Sequence, residues 1–145
     1  MHQIATLGLT ALELGWVQAV RVTPETCAQI ASTAKELGIT ISVHAPYFIN
    51  LNASEEEWPK SRQRLMDAAY YGYLAGATDI VFHPGSYFGE SSVQVMKKVI
   101  ARLTGCVEEL QARQIQVTLR PETMGKSAMI GSLEDVLIMS REVPQ

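Results

Sequence analysis

Apolar positions in this chain follow two periods in alternation. Short runs such as Ile41-Ser-Val-His44, Thr78-Asp-Ile-Val-Phe82 and Val117-Thr-Leu-Arg120 are rich in β-branched residues and run into a proline, as strands do at their ends. Between them apolar residues recur every three or four positions. Cys27, Ile30, Ala31, Ala34 and Leu37 mark one side of a helix that Thr23-Pro-Glu25 opens and Gly38 closes. Leu65, Ala68, Ala69 and Tyr73 mark a second, over about Trp58–Leu74, preceded by the capping-box pattern Ser54-Glu-Glu-Glu57 and followed by Gly76. Val93, Met96, Ile100, Leu103, Val107 and Leu110 mark a third, opened by Ser91 or Ser92, and Ser132-Leu-Glu-Asp135 opens a last helix that stops at Pro144. Met1 to Gly8 reads as the tail of a helix. Thr10 to Val17 reads as the first strand, buried on both sides except at Glu13, and the last strand is expected over about Ile115–Arg120.

The order is a helix end followed by four βα units. Such alternation predicts an α/β fold with a parallel sheet and right-handed crossovers. The strands read as nearly continuous apolar runs, which predicts cover on both faces of the sheet. At 145 residues, 47% of them hydrophobic, the chain can bury one core, and residues 1–145 are expected to form a single domain.

Three strand ends carry chemistry. His44 precedes Ala-Pro46, His83 precedes Pro-Gly-Ser86, and Glu122 follows Arg120-Pro121. The intervals between them are equal, at 39 residues each (83 − 44 and 122 − 83). Ligands in parallel α/β architectures sit beyond the C-terminal ends of the strands, so equal spacing predicts that all three share one rim. Two imidazoles and a carboxylate are a zinc-type donor set that leaves a position for water. Each residue also has a plainer reading. A histidine before proline commonly closes a strand by hydrogen bonding, Pro84-Gly85-Ser86 is equally a turn offering N–H groups to a phosphate, and Glu122 is a potential partner of Arg120. Glu13 stays open between a functional carboxylate and a structural one. Trp16, Trp58, Tyr70, Tyr71 and Tyr73 read as packing residues, and His2 as an exposed helical one.

Charge and cysteine use narrow the picture. A formal net charge of −3 argues against gripping nucleic acid by bulk charge. Cys27 and Cys106 lie in helical patterns far apart and read as small buried hydrophobes. No apolar run approaches the ~20 residues of a membrane span, and no secretion signal is seen, so a cytoplasmic protein is expected.

The segments His44-Ala-Pro-Tyr-Phe-Ile-Asn-Leu51, Phe82-His-Pro-Gly-Ser86 and Arg120-Pro-Glu-Thr123 resemble, in order, strand-end motifs of the endonuclease IV family of apurinic/apyrimidinic endonucleases. The third is the loosest, since the familiar form has Glu-Asn-Thr where this chain has Pro-Glu-Thr. The resemblance implies a TIM-type (β/α) barrel related to xylose isomerase, here an incomplete barrel of about four βα units. It implies a zinc-dependent hydrolase, with up to three zinc ions, that cleaves the DNA backbone 5′ to an abasic site. His44 and His83 would bind one zinc and Glu122 would bridge it to a second as the catalytic carboxylate. Tyr47, Asn50, Gly85 and Ser86 would meet the substrate. The ligands of the further zincs would lie beyond this chain, which by itself is expected to be inactive. Two other functions stand beside this one: a sugar isomerase or epimerase of the xylose isomerase-like class, and a non-catalytic half-barrel that binds metal. Four parallel strands also leave two unpaired edges, which predicts pairing into a homodimer.

Overall fold

In the computed structural model, which describes residues 1–144, four strands form one parallel sheet in the order β1-β2-β3-β4. The elements are α1 (His2–Thr6), β1 (Ala11–Gly15), α2 (Pro24–Leu37), β2 (Thr40–His44), α3 (Trp58–Leu74), β3 (Ala77–Phe82), α4 (Ser92–Ala112), β4 (Thr118–Pro121) and α5 (Leu133–Glu142). With sequential strand order and the right-handed crossovers that parallel strands take, the connecting helices α2, α3 and α4 fall on the same side of the sheet. One face is therefore packed and the other open.

The packed face is apolar. Ile41 and Val43 of β2, Ile80 and Phe82 of β3 and Leu119 of β4 point to the helices and are buried. Leu65, Ala68 and Ala69 of α3 and Val99, Leu103 and Cys106 of α4 complete the core. Gly72 lets α3 come close: a Cβ there would lie 2.6 Å from Ile80 Cδ1. Arg62 and Glu109 pair between α3 and α4.

The open face corrects an expectation. Strand residues alternate, so Glu13, Thr40, Ser42, Asp79, Thr118 and Arg120 point away from the helices. All are exposed or half-buried, and the first strand alternates between exposed and half-buried along its length. The apolar runs owe their hydrophobicity to the helix-facing positions. On the other face the larger side chains are mostly polar, and Arg120 Nε donates to Asp79 Oδ1 at 2.6 Å across neighbouring strands.

The last strand starts later than expected, and the two capping boxes turn out differently, each for a local reason. The strand expected at Ile115 begins at Thr118 because α4 ends in a Schellman turn. Gln114 takes φ +57° and Ile115 N–H donates to Leu110 O at 2.9 Å, so Ile115 packs as the buried residue after the helix. The Ser54–Glu57 box is half-formed: Ser54 Oγ accepts from Glu57 N–H at 3.3 Å, but the Glu57 carboxylate pairs with Lys60. Ser132 and Asp135 form the complete box, Oγ on one N–H and carboxylate on the other, at the start of α5. No helix among the described residues is long and apolar enough to cross a membrane.

Candidate metal centre

His44 is the last residue of β2, and His83 and Glu122 each follow the last residue of their strand. Pro46 and Pro84 help end β2 and β3 there, because proline cannot donate to the ladder. Parallel registration then brings the three side chains to one rim. Glu122 N–H donates to Phe82 O at 2.9 Å, carrying the ladder one residue past β4.

One oxygen of Glu122 serves both histidines. Its Oε2 lies 3.1 Å from His44 Nε2 and 3.0 Å from His83 Nε2. The three ligand atoms all fall within 4.8 Å of one another. Two ligands of a tetrahedral zinc at about 2.0–2.1 Å would stand roughly 3.3 Å apart, close to these separations. The orientation of His44 adds a second test. Its Nδ1 is 3.0 Å from Ala45 O, and because a carbonyl only accepts, Nδ1 carries the hydrogen. A neutral His44 then aims the Nε2 lone pair at a carboxylate oxygen. Two acceptors at that distance repel unless a proton or a cation stands between them. A backbone carbonyl on the far nitrogen is also how metal-bound histidines are commonly held.

Tyr47 lies over this cluster. Its ring stacks on His83 with centroids 5.0 Å apart and meets His44 edge-on at 5.3 Å. Phe48, the next residue, is exposed and lines a separate cleft of about 450 Å³ with Arg64, Phe88 and Lys98.

The other expected substrate residues are engaged within the protein. Asn50 Oδ1 accepts from Asn52 N–H at 2.9 Å and from Ser86 N–H at 3.4 Å. Gly85 has φ +121°, and a Cβ there would fall 2.0 Å from Asn50 Oδ1, so only glycine lets the two loops close on each other. Ser86 Oγ donates to Ala128 O at 2.9 Å. Glu13 is apart from the cluster, exposed on the open face opposite Ser42, two residues before the Gly15–His44 pair.

Several supporting residues gave little sign in the sequence. Asn52, 2% exposed, donates to Ser86 O, Tyr87 O and Glu90 and accepts from Lys98. It ties the loop after β2 to the loop after β3, and its only signal is an amide between Leu51 and Ala53. Arg102 clamps the same loop, donating to Leu51 O and Ala53 O at 2.8 and 2.7 Å while lying over the Trp58 ring. Tyr87 donates to Asp135, and burial together with that carboxylate pushes the phenol well above its ordinary range, so it stays a donor. Burial acts to raise Asp135, but hydrogen bonds from Gly131, Tyr87 and Ser132 outweigh it and hold the carboxyl below the usual range.

The whole chain, residues 1–145, matches the family model described as xylose isomerase-like TIM barrel, and the chain belongs to that family. It is 34% identical over 140 residues to the uncharacterized protein MJ0133 of Methanocaldococcus jannaschii, covering 94% of this chain and 50% of that one. It is 29% identical over 138 residues to endonuclease 4 of Thermus thermophilus, covering 91% of this chain and 48% of the relative. The crystal structure of an endonuclease IV from Thermus thermophilus superposes with a TM-score of 0.70 at 25% identity over 90% of this chain and 48% of that one. A D-psicose 3-epimerase superposes with a TM-score of 0.77 at 14% identity, over 99% of this chain and 53% of that one, and so shares the fold. The chain thus spans about half the length of these proteins. The open sheet, with its helices on one side, is a partial TIM-barrel-like arrangement.

Proposed function

We propose that His44, His83 and Glu122 hold a zinc ion, and that this centre is part of a phosphodiesterase acting on abasic sites in DNA. The observation that carries the metal is the convergence of His44 Nε2 and His83 Nε2 on one oxygen of Glu122, at 3.1 and 3.0 Å, with His44 Nδ1 already engaged by Ala45 O. The likeness to proteins named endonuclease 4 supports the substrate.

When bound, such an ion acidifies a water and relieves charge on phosphoryl oxygens. The chain's own residues do the rest. Ala45 O fixes the tautomer and ring plane of His44. The stacked Tyr47 ring covers one side of His83 and narrows the approach of water. Glu122, with 41% of its side chain exposed and one oxygen turned to the histidines, keeps Oε1 available to a second cation or to a proton. The described residues offer one such three-ligand group, so hydrolysis that needs paired metals draws on the half of the relatives that this chain does not span.

The polar open face favours a second reading. Ser42, Asp79, Thr118 and Arg120 face the open side, donors and acceptors suited to a sugar, and the epimerase likeness in fold agrees. One experiment separates the two. Incision of a zinc-supplied abasic duplex is measured beside ketose epimerisation, for the 145-residue chain and for a chain extended to the length of its relatives. The expected result is incision 5′ to the lesion by the longer chain, abolished by His83→Ala, and negligible incision by the 145-residue chain. Epimerisation without incision contradicts the reading.

A further inference from the structure

The three ligand side chains come from three strands, and two of them, His83 and Glu122, stand just past the strand that carries them. Their separation therefore depends on loops as well as on the sheet. The loop after β3 and the loop after β4 run back along each other. Ser86 and Met129 form an antiparallel bridge, Tyr87 N–H donates to Ala128 O at 3.0 Å, and Ile130 N–H donates to Gly85 O at 3.0 Å.

One side-chain contact ties this zipper to the start of α5. The Tyr87 hydroxyl donates to Asp135 Oδ1 at 2.7 Å. Asp135 divides its oxygens between two tasks. Oδ2 accepts from Gly131 and Ser132 N–H at 3.0 and 2.9 Å, which completes the helix cap, while Oδ1 receives the tyrosine. The cap does not use Oδ1, so the tyrosine contact is a separate device. Gly131 connects directly to the ligand loop: its carbonyl accepts from Met124 N–H at 2.6 Å, and a Cβ on it would lie 2.8 Å from Glu122 O. A continuous path thus runs from Glu122 through Gly131 and Asp135 to Tyr87, and on through Ser86 and Gly85 to His83.

We propose that Tyr87 and Asp135 are positioning residues of the metal centre, and that their hydroxyl–carboxylate contact sets the spacing between His83 and Glu122. This rests on the reading of His44, His83 and Glu122 as metal ligands. Groups that hold ligands through a hydrogen-bonded shell commonly change metal affinity by about 10–100-fold when removed.

The test uses cobalt(II) as the probe, followed by its visible absorption, with the protein's melting midpoint read in parallel. Tyr87→Phe removes the hydroxyl and keeps the ring. Thr23→Ala is the control: it removes the side-chain cap of α2, away from the rim, and lowers stability without touching the loops. The expected result is cobalt binding weakened about tenfold by Tyr87→Phe, with altered absorption bands, and unchanged by Thr23→Ala. Should Tyr87→Phe fail to fold, Ser86→Ala, which removes the Oγ bond to Ala128 O in the same zipper, is expected to weaken binding in the same direction. Equal affinity and spectrum in the wild type and in the folded loop variant overturn the proposal, as does equal weakening by that variant and the control. Failure of the wild-type chain to take up cobalt at all would instead overturn the metal reading beneath it.

Discussion

The two faces of the sheet are built from alternate residues of the same strands, yet they do different work. Toward the helices, Ile41, Val43, Ile80, Phe82 and Leu119 are buried and interchangeable in kind. Burying each such side chain contributes about 1.5–3 kcal/mol. Away from the helices, Ser42, Asp79, Thr118 and Arg120 contribute little burial, and His44 sits among them at the rim. Stability resides on one face and the candidate chemistry on the other, offset by a single residue. Changes on the helix face are expected to cost much of the protein's stability, while changes on the open face are expected to cost far less.

The largest expected effect tests that division. Leu65→Ala, at a fully buried site in α3, should cost about 2–5 kcal/mol in urea unfolding, whereas Ser42→Ala on the open face should stay within about 0.5 kcal/mol. A Ser42→Ala loss as large as that of Leu65→Ala would erase the contrast.

Acid is expected to act on both faces more gently. On the open face, the Thr78 hydroxyl and then Arg120 hold Asp79 below the usual carboxylate range against the opposing effect of burial. On the helix side, Arg62 and then Arg113 do the same for Glu109. A depressed carboxyl adds stability above its unfolded value, near 3.9 for Asp and 4.3 for Glu, and loses it as pH falls through the folded value. The melting midpoint should therefore hold steady on account of these groups from pH 8 down to about 5 and fall below about pH 4. Asp79→Asn should remove the open-face share of that fall and leave the Glu109 share. An identical acid limb in the variant would show that Asp79 carries none of it.

What could be read in the sequence follows from the same two faces. Helix periodicity is strong because one apolar stripe on each helix meets one packed face, so α2, α3 and α4 lie where Cys27–Leu37, Leu65–Tyr73 and Val93–Leu110 place them, although Tyr73 and Val93 themselves are exposed. The open face is hidden in the sequence because Ile41 and Val43 dominate a short run in which Ser42 is outnumbered, and a half-covered sheet then resembles a fully covered one. The meeting of His44, His83 and Glu122 is readable because strand ends repeat at one spacing, and parallel strands convert equal spacing into a shared rim. The Asn52 hub and the Tyr87–Asp135 tie are not, because they join residues 34–48 positions apart across loops, where no period connects sequence to space.

Equilibrium zinc binding to the protein, read by competition with a chromophoric chelator, decides whether the three strand ends form a metal centre. One ion per chain is expected, with a loss of affinity on the order of a hundredfold or more in His83→Ala and in Glu122→Ala, since removing a ligand should exceed the effect of disturbing its support. Tyr73→Ala, far from the rim, should bind as the wild type does. No zinc uptake, or uptake indifferent to His44, His83 and Glu122, would contradict the metal reading.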